Sequence, residues 1–158
     1  MITIRIDQVA LKRLERKLTP ERLGAALRSA LEEALAWLKR AVVERTPVDR
    51  GALRAGIYTE LHGTTFSDMH GMVAPSVATA EYASVMEWGR RPGSKMPPVT
   101  VIAEWLQRKG IEASAFVVAR SIGRRGIKGH LMFTKAARAG KGPVTKIIND
   151  AIHRWAGS

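Results

Sequence analysis

Apolar residues recur at three- and four-residue spacing from Leu23 through Leu27, Leu31, Ala34 and Leu38 to Val42. That period predicts an amphipathic helix of more than about five turns. Thr19-Pro20-Glu21 supplies an N-cap, a first-turn proline and an acidic first turn. Thr46-Pro47 ends the helix, because the residue before a proline disfavours helical geometry. Leu35 and Trp37 lie off the main line, so the stripe is wide and suits a helix packed on a sheet or on two neighbours. Trp37 serves that stripe or an interface. Ahead of the helix, Ile2, Ile4 and Ile6 alternate with polar residues as in a half-buried strand. Asp7 then caps a brief helix carrying Leu11, Leu14 and Leu18.

After Gly56 the period changes to that of strands. Residues 57–62 and 69–73 are rich in strand formers and flank a polar connection, which predicts an antiparallel hairpin. A short helical piece follows over 82–88. Pro97-Pro98 opens a helix in which Val101, Ile102, Trp105 and Leu106 share a face and Gly110 makes the stop. Ser114 caps another, running through Phe116, Val117, Ala119, Arg120 and Ile122. The last helix is expected from Pro143, with Val144, Ile147, Ile148, Ala151, Ile152 and Trp155 on one face. Together these elements predict an α+β fold: a long amphipathic helix and a C-terminal helix packed against a small antiparallel sheet, with short helices and basic loops, in a single domain over 1–158.

Charge alters this picture most. The net charge is +12, and residues 101–158 hold eleven Lys or Arg against three acids, while 51–100 are balanced at four each. Two turn-rich basic segments stand out, expected to be mobile: 89–97, with Arg90, Arg91 and Lys95, and 123–130, with Arg124, Arg125 and Lys128. These six residues are the candidate interaction residues, because dense positive charge attracts nucleic acid or an acidic protein surface. The plain alternative is a solvated basic face.

No chemistry-bearing motif emerges. The absence of cysteine removes disulfides, thiolate nucleophiles and cysteine-ligated metals. His62, His70, His130 and His153 lack metal-ligand spacing, although two could still meet in space. The serines form no nucleophile elbow, and the glycine clusters no phosphate-binding loop. Glu81 and Glu87, beside Tyr82 and Trp88, are the acids in the most interesting setting and carry a metal-dependent nuclease as an alternative reading. No cofactor, catalytic residue or metal ligand is otherwise expected, nor any membrane span. With no signal-peptide pattern at Met1–Asp7, the chain is expected to be made and kept in the cytosol, at least before any assembly.

Three segments carry a resemblance. T-P-V-D-R-G-A-L-R-A-G-I at 46–57 joins a helix end to a strand start through Pro47, Asp49, Gly51, Leu53 and Arg54. E-Y-A-S-V-M-E-W-G-R-R-P at 81–92 sets Tyr82, Glu87, Trp88 and Gly89 before a basic loop, and G-H-L-M-F-T-K-A-A at 129–137 contains Phe133. Together they resemble the HK97 gp10-like family of tailed-bacteriophage neck and tail-completion (head–tail joining) proteins. The chain departs from that pattern at Arg50, at Met86-Glu87-Trp88 and in a helical insert over about 98–124. The resemblance implies a non-enzymatic virion protein at the head–tail junction, in a neck, tail-completion or tail-terminator-like role. It would work as an oligomeric ring against neck, connector or tail proteins, with DNA as a second, non-specific contact. On charge alone, the alternative is a non-specific nucleic-acid-binding module.

Overall fold

The computed structural model describes residues 1–5, 20–65 and 68–156, leaving aside the side chains of 5, 20–22, 155 and 156. The helix expected from Asp7, Ile6 of the first strand and the Trp155 side chain lie outside the described residues. The fold is α+β, with strands β1 (Ile2–Arg5), β2 (Ile57–His62), β3 (His70–Pro75), β4 (Gly89–Arg90) and β5 (Ile127–Lys128). The helices are α1 (Pro20–Arg45), α2 (Ala52–Ala55), α3 (Val77–Trp88), α4 (Val99–Lys109), α5 (Ala115–Arg125) and α6 (Met132–Ala156). Two compact units divide the chain: Met1–Ala83 with Leu131–Ser158, and Ser84–His130.

The first unit is built on the long helix. Leu23, Leu27, Leu31 and Val42 are fully buried, with Ala26, Ala30 and Ala34 filling the gaps between them. Each leucine removed from water contributes about 1.5–3 kcal/mol. One side of this wide stripe faces a three-stranded antiparallel sheet of order β1-β3-β2. Gly71 of the central strand lies opposite Ile4 and Leu61, and Val73 opposite Ile2 and Thr59. A Cβ built on Gly71 would stand 2.6 Å from Cδ1 and 2.9 Å from Cγ of Leu35. Leu35 therefore takes up the space a side chain would need on the strand, and α1 crosses the sheet at van der Waals distance.

The other side of α1 packs against α6. Met132, Phe133, Ala136, Gly140 and Ala151 of that helix are buried. A Cβ on Gly140 would meet Cδ2 of Leu38 at 2.7 Å and Cζ3 of half-buried Trp37 at 3.1 Å. The last helix thus begins eleven positions before the expected start, and Pro143 lies inside it. Pro143 has no N–H for the Ala139 carbonyl, and Gly140 and Gly142 weaken the same turn. Burial of the Met132–Gly140 stripe on α1 outweighs those local penalties. The expected stripe at Val144, Ile147, Ile148 and Ile152 is half-buried.

In the second unit, α4 starts after Pro98 and stops at Gly110, which has φ 64°. Ser114 precedes α5 without a side-chain capping bond. The inner face of α5 is small and buried at Ala119 and Gly123, which lets the helix approach the 94–96 backbone: a Cβ on Gly123 would stand 3.3 Å from the Ser94 carbonyl oxygen and 3.2 Å from Met96 Cα. The segments expected as separate loops at 89–97 and 123–130 are joined, because Gly89 pairs with Lys128 and Arg90 with Ile127.

Candidate functional site

The 46–57 segment is a helix stop and a re-entry turn. Thr46 is buried; its Oγ1 donates to the Val42 carbonyl at 2.7 Å and lies 3.4 Å from Met132 Sδ. Arg54 reaches back and donates from Nε to the Thr46 carbonyl at 2.8 Å, giving a cationic partner to the C-terminus of α1. Gly51, at φ 81°, turns the chain into α2, and Leu53 anchors that turn in the core. Gly56 follows under close approach: its carbonyl accepts from Ser76 N–H at 2.7 Å. A Cβ there would meet the Ser76 and Thr79 hydroxyls at 2.8 Å.

This turn also forms a cleft of about 240 Å³ lined by Pro47, Asp49, Arg50, Gly51 and Leu53, with Ala78 and Tyr82 among the residues from α3. Motif residues from 46–57 and Tyr82 from 81–92 therefore meet at one surface feature of the first unit. Phe133 is buried elsewhere in that unit, in the first turn of α6.

In the second unit Glu87 is buried, whereas Trp88 next to it is 69% exposed. Gly89 has φ 77°, and a Cβ there would collide with the Ile127 carbonyl oxygen. Gly126, at φ 74°, comes as close to the Arg90 carbonyl oxygen, and Gly129 to that of Glu87. Three glycines thus permit the backbone contact that makes the β4–β5 ladder. His130 N–H extends the contact to the Met86 carbonyl at 2.8 Å, and Gly93 N–H donates to the Gly123 carbonyl at 2.9 Å.

The consequence is one paired basic segment instead of two separate loops, with Arg90 and Lys128 on opposite faces of the ladder because Arg90 lies opposite Ile127 and Lys128 opposite Gly89. Arg90 lies on one strand and Lys128 on the other, while Arg124 and Arg125 end the helix that leads into β5. Arg90 also donates from a terminal guanidinium nitrogen to the Lys95 carbonyl at 2.6 Å, which closes the 90–95 turn. Arg91 and Lys95 project from that turn and are exposed.

Sequence periodicity did not show where α5 directs its large apolar residues. Phe116 and Val117 are 52% and 62% exposed, and they line a groove of about 510 Å³ with Arg120, Ser121, Arg124 and Arg125. The stripe that α5 turns inward is the smaller one, Ala115, Val118, Ala119, Ile122 and Gly123, which leaves Phe116 and Arg120 outside.

Of the acids considered for metal chemistry, Glu81 is exposed and Glu87 buried. Among the described residues, no group of three or more His, Asp or Glu is placed to hold a metal ion. His62 and His70 do meet, as a cross-strand pair with ring centroids 5.3 Å apart, and His62 Nε2 lies 3.0 Å from Glu60 Oε2. No described helix is long and apolar enough to cross a membrane. No protein-family model, curated protein or solved structure matches the chain.

Proposed function

We propose that the chain is a structural virion protein of the phage head–tail junction, a neck or tail-completion component that works by ring-type assembly with copies of itself and with adjoining connector or tail proteins. The observation that carries this reading is that the residues of the 46–57 and 81–92 motifs shape surfaces. Pro47, Asp49, Gly51, Leu53 and Tyr82 make a cleft, and Trp88 stands exposed beside the Gly89–Arg90 strand. A closing head-to-tail ring requires two different complementary patches on each subunit. The cleft in the first unit and the exposed Trp88 and Ile127 in the second support this reading by being different in kind, one concave and one bearing exposed apolar side chains. Tryptophan and tyrosine flanked by arginine are also the residue types that concentrate interface energy.

Native mass spectrometry and negative-stain imaging test the reading. The expected result is a closed ring, formed by the chain alone or on addition of the connector and tail proteins encoded beside it. Trp88→Ala and Tyr82→Ala are expected to weaken assembly while leaving the helical circular dichroism intact. A chain that stays monomeric and captures none of those proteins overturns the proposal.

A further inference from the structure

We infer that the outer face of α5 is a binding groove for single-stranded nucleic acid. The second unit carries nine Lys or Arg against three Glu over Ser84–His130, a net charge of +6 in 47 residues. None of the three glutamates lines the groove on the α5 face. Glu87 is buried, Glu104 pairs with Arg108 along α4 at 3.7 Å, and Glu112 lies in the connection between α4 and α5. Among the described residues, no ion pair or hydrogen bond engages the guanidinium groups of Arg120, Arg124 or Arg125.

The order of residues along the groove favours a nucleic acid over an acidic peptide. Phe116 stands at one end, followed by Arg120 and Arg124 at successive helical turns, each about 6 Å further on. Ser121 and Arg125 run beside them. A docked amphipathic helix needs apolar anchors repeated over two or more turns, but here the apolar pair Phe116–Val117 occupies the first turn alone. One exposed aromatic ring followed by a run of guanidinium groups suits a base stacked on the ring and a backbone tracked by charge. Within the same unit, Arg90, Arg91 and Lys128 extend the positive field that attracts the strand.

The test is fluorescence anisotropy with a labelled oligo-dT, read across a salt series and compared with an abasic strand of equal length and with polyglutamate. Oligo-dT is expected to bind at low salt and to weaken as salt rises. Arg120→Gln, Arg124→Gln and Arg125→Gln combined should flatten the slope of log K against log salt by about 2, from roughly 0.7 per phosphate neutralised. Phe116→Leu should weaken oligo-dT on the order of tenfold and leave the abasic strand unaffected. Because these side chains are exposed, the melting temperature should stay at the wild-type value, which separates lost binding from lost folding. Absent oligo-dT binding at low salt overturns the inference. So does equal affinity for the abasic strand, which reduces the face to phosphate contact, or tighter binding of polyglutamate, which assigns it to an acidic protein segment. Trp88 and Tyr82 are unchanged in every variant, so failure here and failure of ring assembly are read independently.

Discussion

Replacing Gly71 with alanine tests the central packing of the first unit. The new methyl would stand 2.6 Å from Leu35 Cδ1 and 2.9 Å from both Cδ2 and Cγ. Cγ is the branch point of a side chain that is only 3% exposed, so rotating one methyl aside does not clear the contact. Either Leu35 leaves its rotamer or α1 lifts from the sheet, an overpacking cost of about 1–3 kcal/mol. Alanine recovers about 0.5–1 kcal/mol over glycine inside a strand, which leaves a net destabilisation centred on about 1 kcal/mol and reaching at most about 2.5. For a chain of this length about 1 kcal/mol corresponds to a melting temperature about 2–4 °C lower. Urea denaturation followed by circular dichroism measures the change. A double-mutant cycle with Leu35→Ala locates it: the single change costs about 2–5 kcal/mol, but the pair should cost less than the two singles together by about 1 kcal/mol or more. A Gly71→Ala chain at least as stable as wild type, or a cycle additive to within about 0.5 kcal/mol, refutes the close crossing of α1 over β3.

Two glycines in the middle of α6 should respond in opposite directions. Gly142→Ala meets nothing within 4 Å and should stabilise the helix by about 0.5–1 kcal/mol, whereas Gly140→Val, set against Leu38 and Trp37, should cost about 1–3 kcal/mol in thermal melts. Gly89→Ala should open the β4–β5 ladder, because it combines a left-handed φ of 77° with collision against the Ile127 carbonyl. Hydrogen exchange at Lys128 and His130 should then accelerate while that of α1 stays slow. Asp68 is held below the ordinary carboxylate range, chiefly by the Thr65 hydroxyl and then by the Thr65 backbone N–H, each 2.8 Å from Oδ1. Its contribution to the turn is therefore present above the ordinary carboxylate pKa and lost as pH falls through the lowered folded value. Thr65→Val should raise the Asp68 midpoint in an NMR titration, and an unmoved midpoint would discard the hydroxyl as its cause.

The three motif segments did not have equal physical content. Over 46–57 the residue types explain themselves: Thr46 and Arg54 terminate α1, Gly51 turns the chain, and Leu53 seals the turn. Over 81–92 the split between buried Glu87 and exposed Trp88 belongs to the second unit, where the glycines at 89, 126 and 129 make backbone contact feasible. Over 129–137 the segment is split: Gly129 and His130 complete the backbone contacts of the second unit, and from Met132 the chain is the first turns of α6, where Phe133 is a core residue.

What the amino-acid sequence determined by itself was local. The leucine and alanine period of α1, its stop at Thr46, the hairpin of β2 and β3 and the glycine stop after α4 each follow from forces acting within a few residues, and each is read directly from spacing and residue type. The start of α6 was not legible in this way, because Gly140, Gly142 and Pro143 oppose a helix locally and only burial against α1 overrides them. Nor was the union of the two arginine-bearing segments, since pairing Arg90 with Ile127 joins positions 37 residues apart. The outward placement of Phe116 beside Arg120 and Arg124 was decided by tertiary structure as well. A helix with two half-apolar faces buries whichever packs more closely, and here the small side, Ala119 and Gly123, fits against the 94–96 backbone.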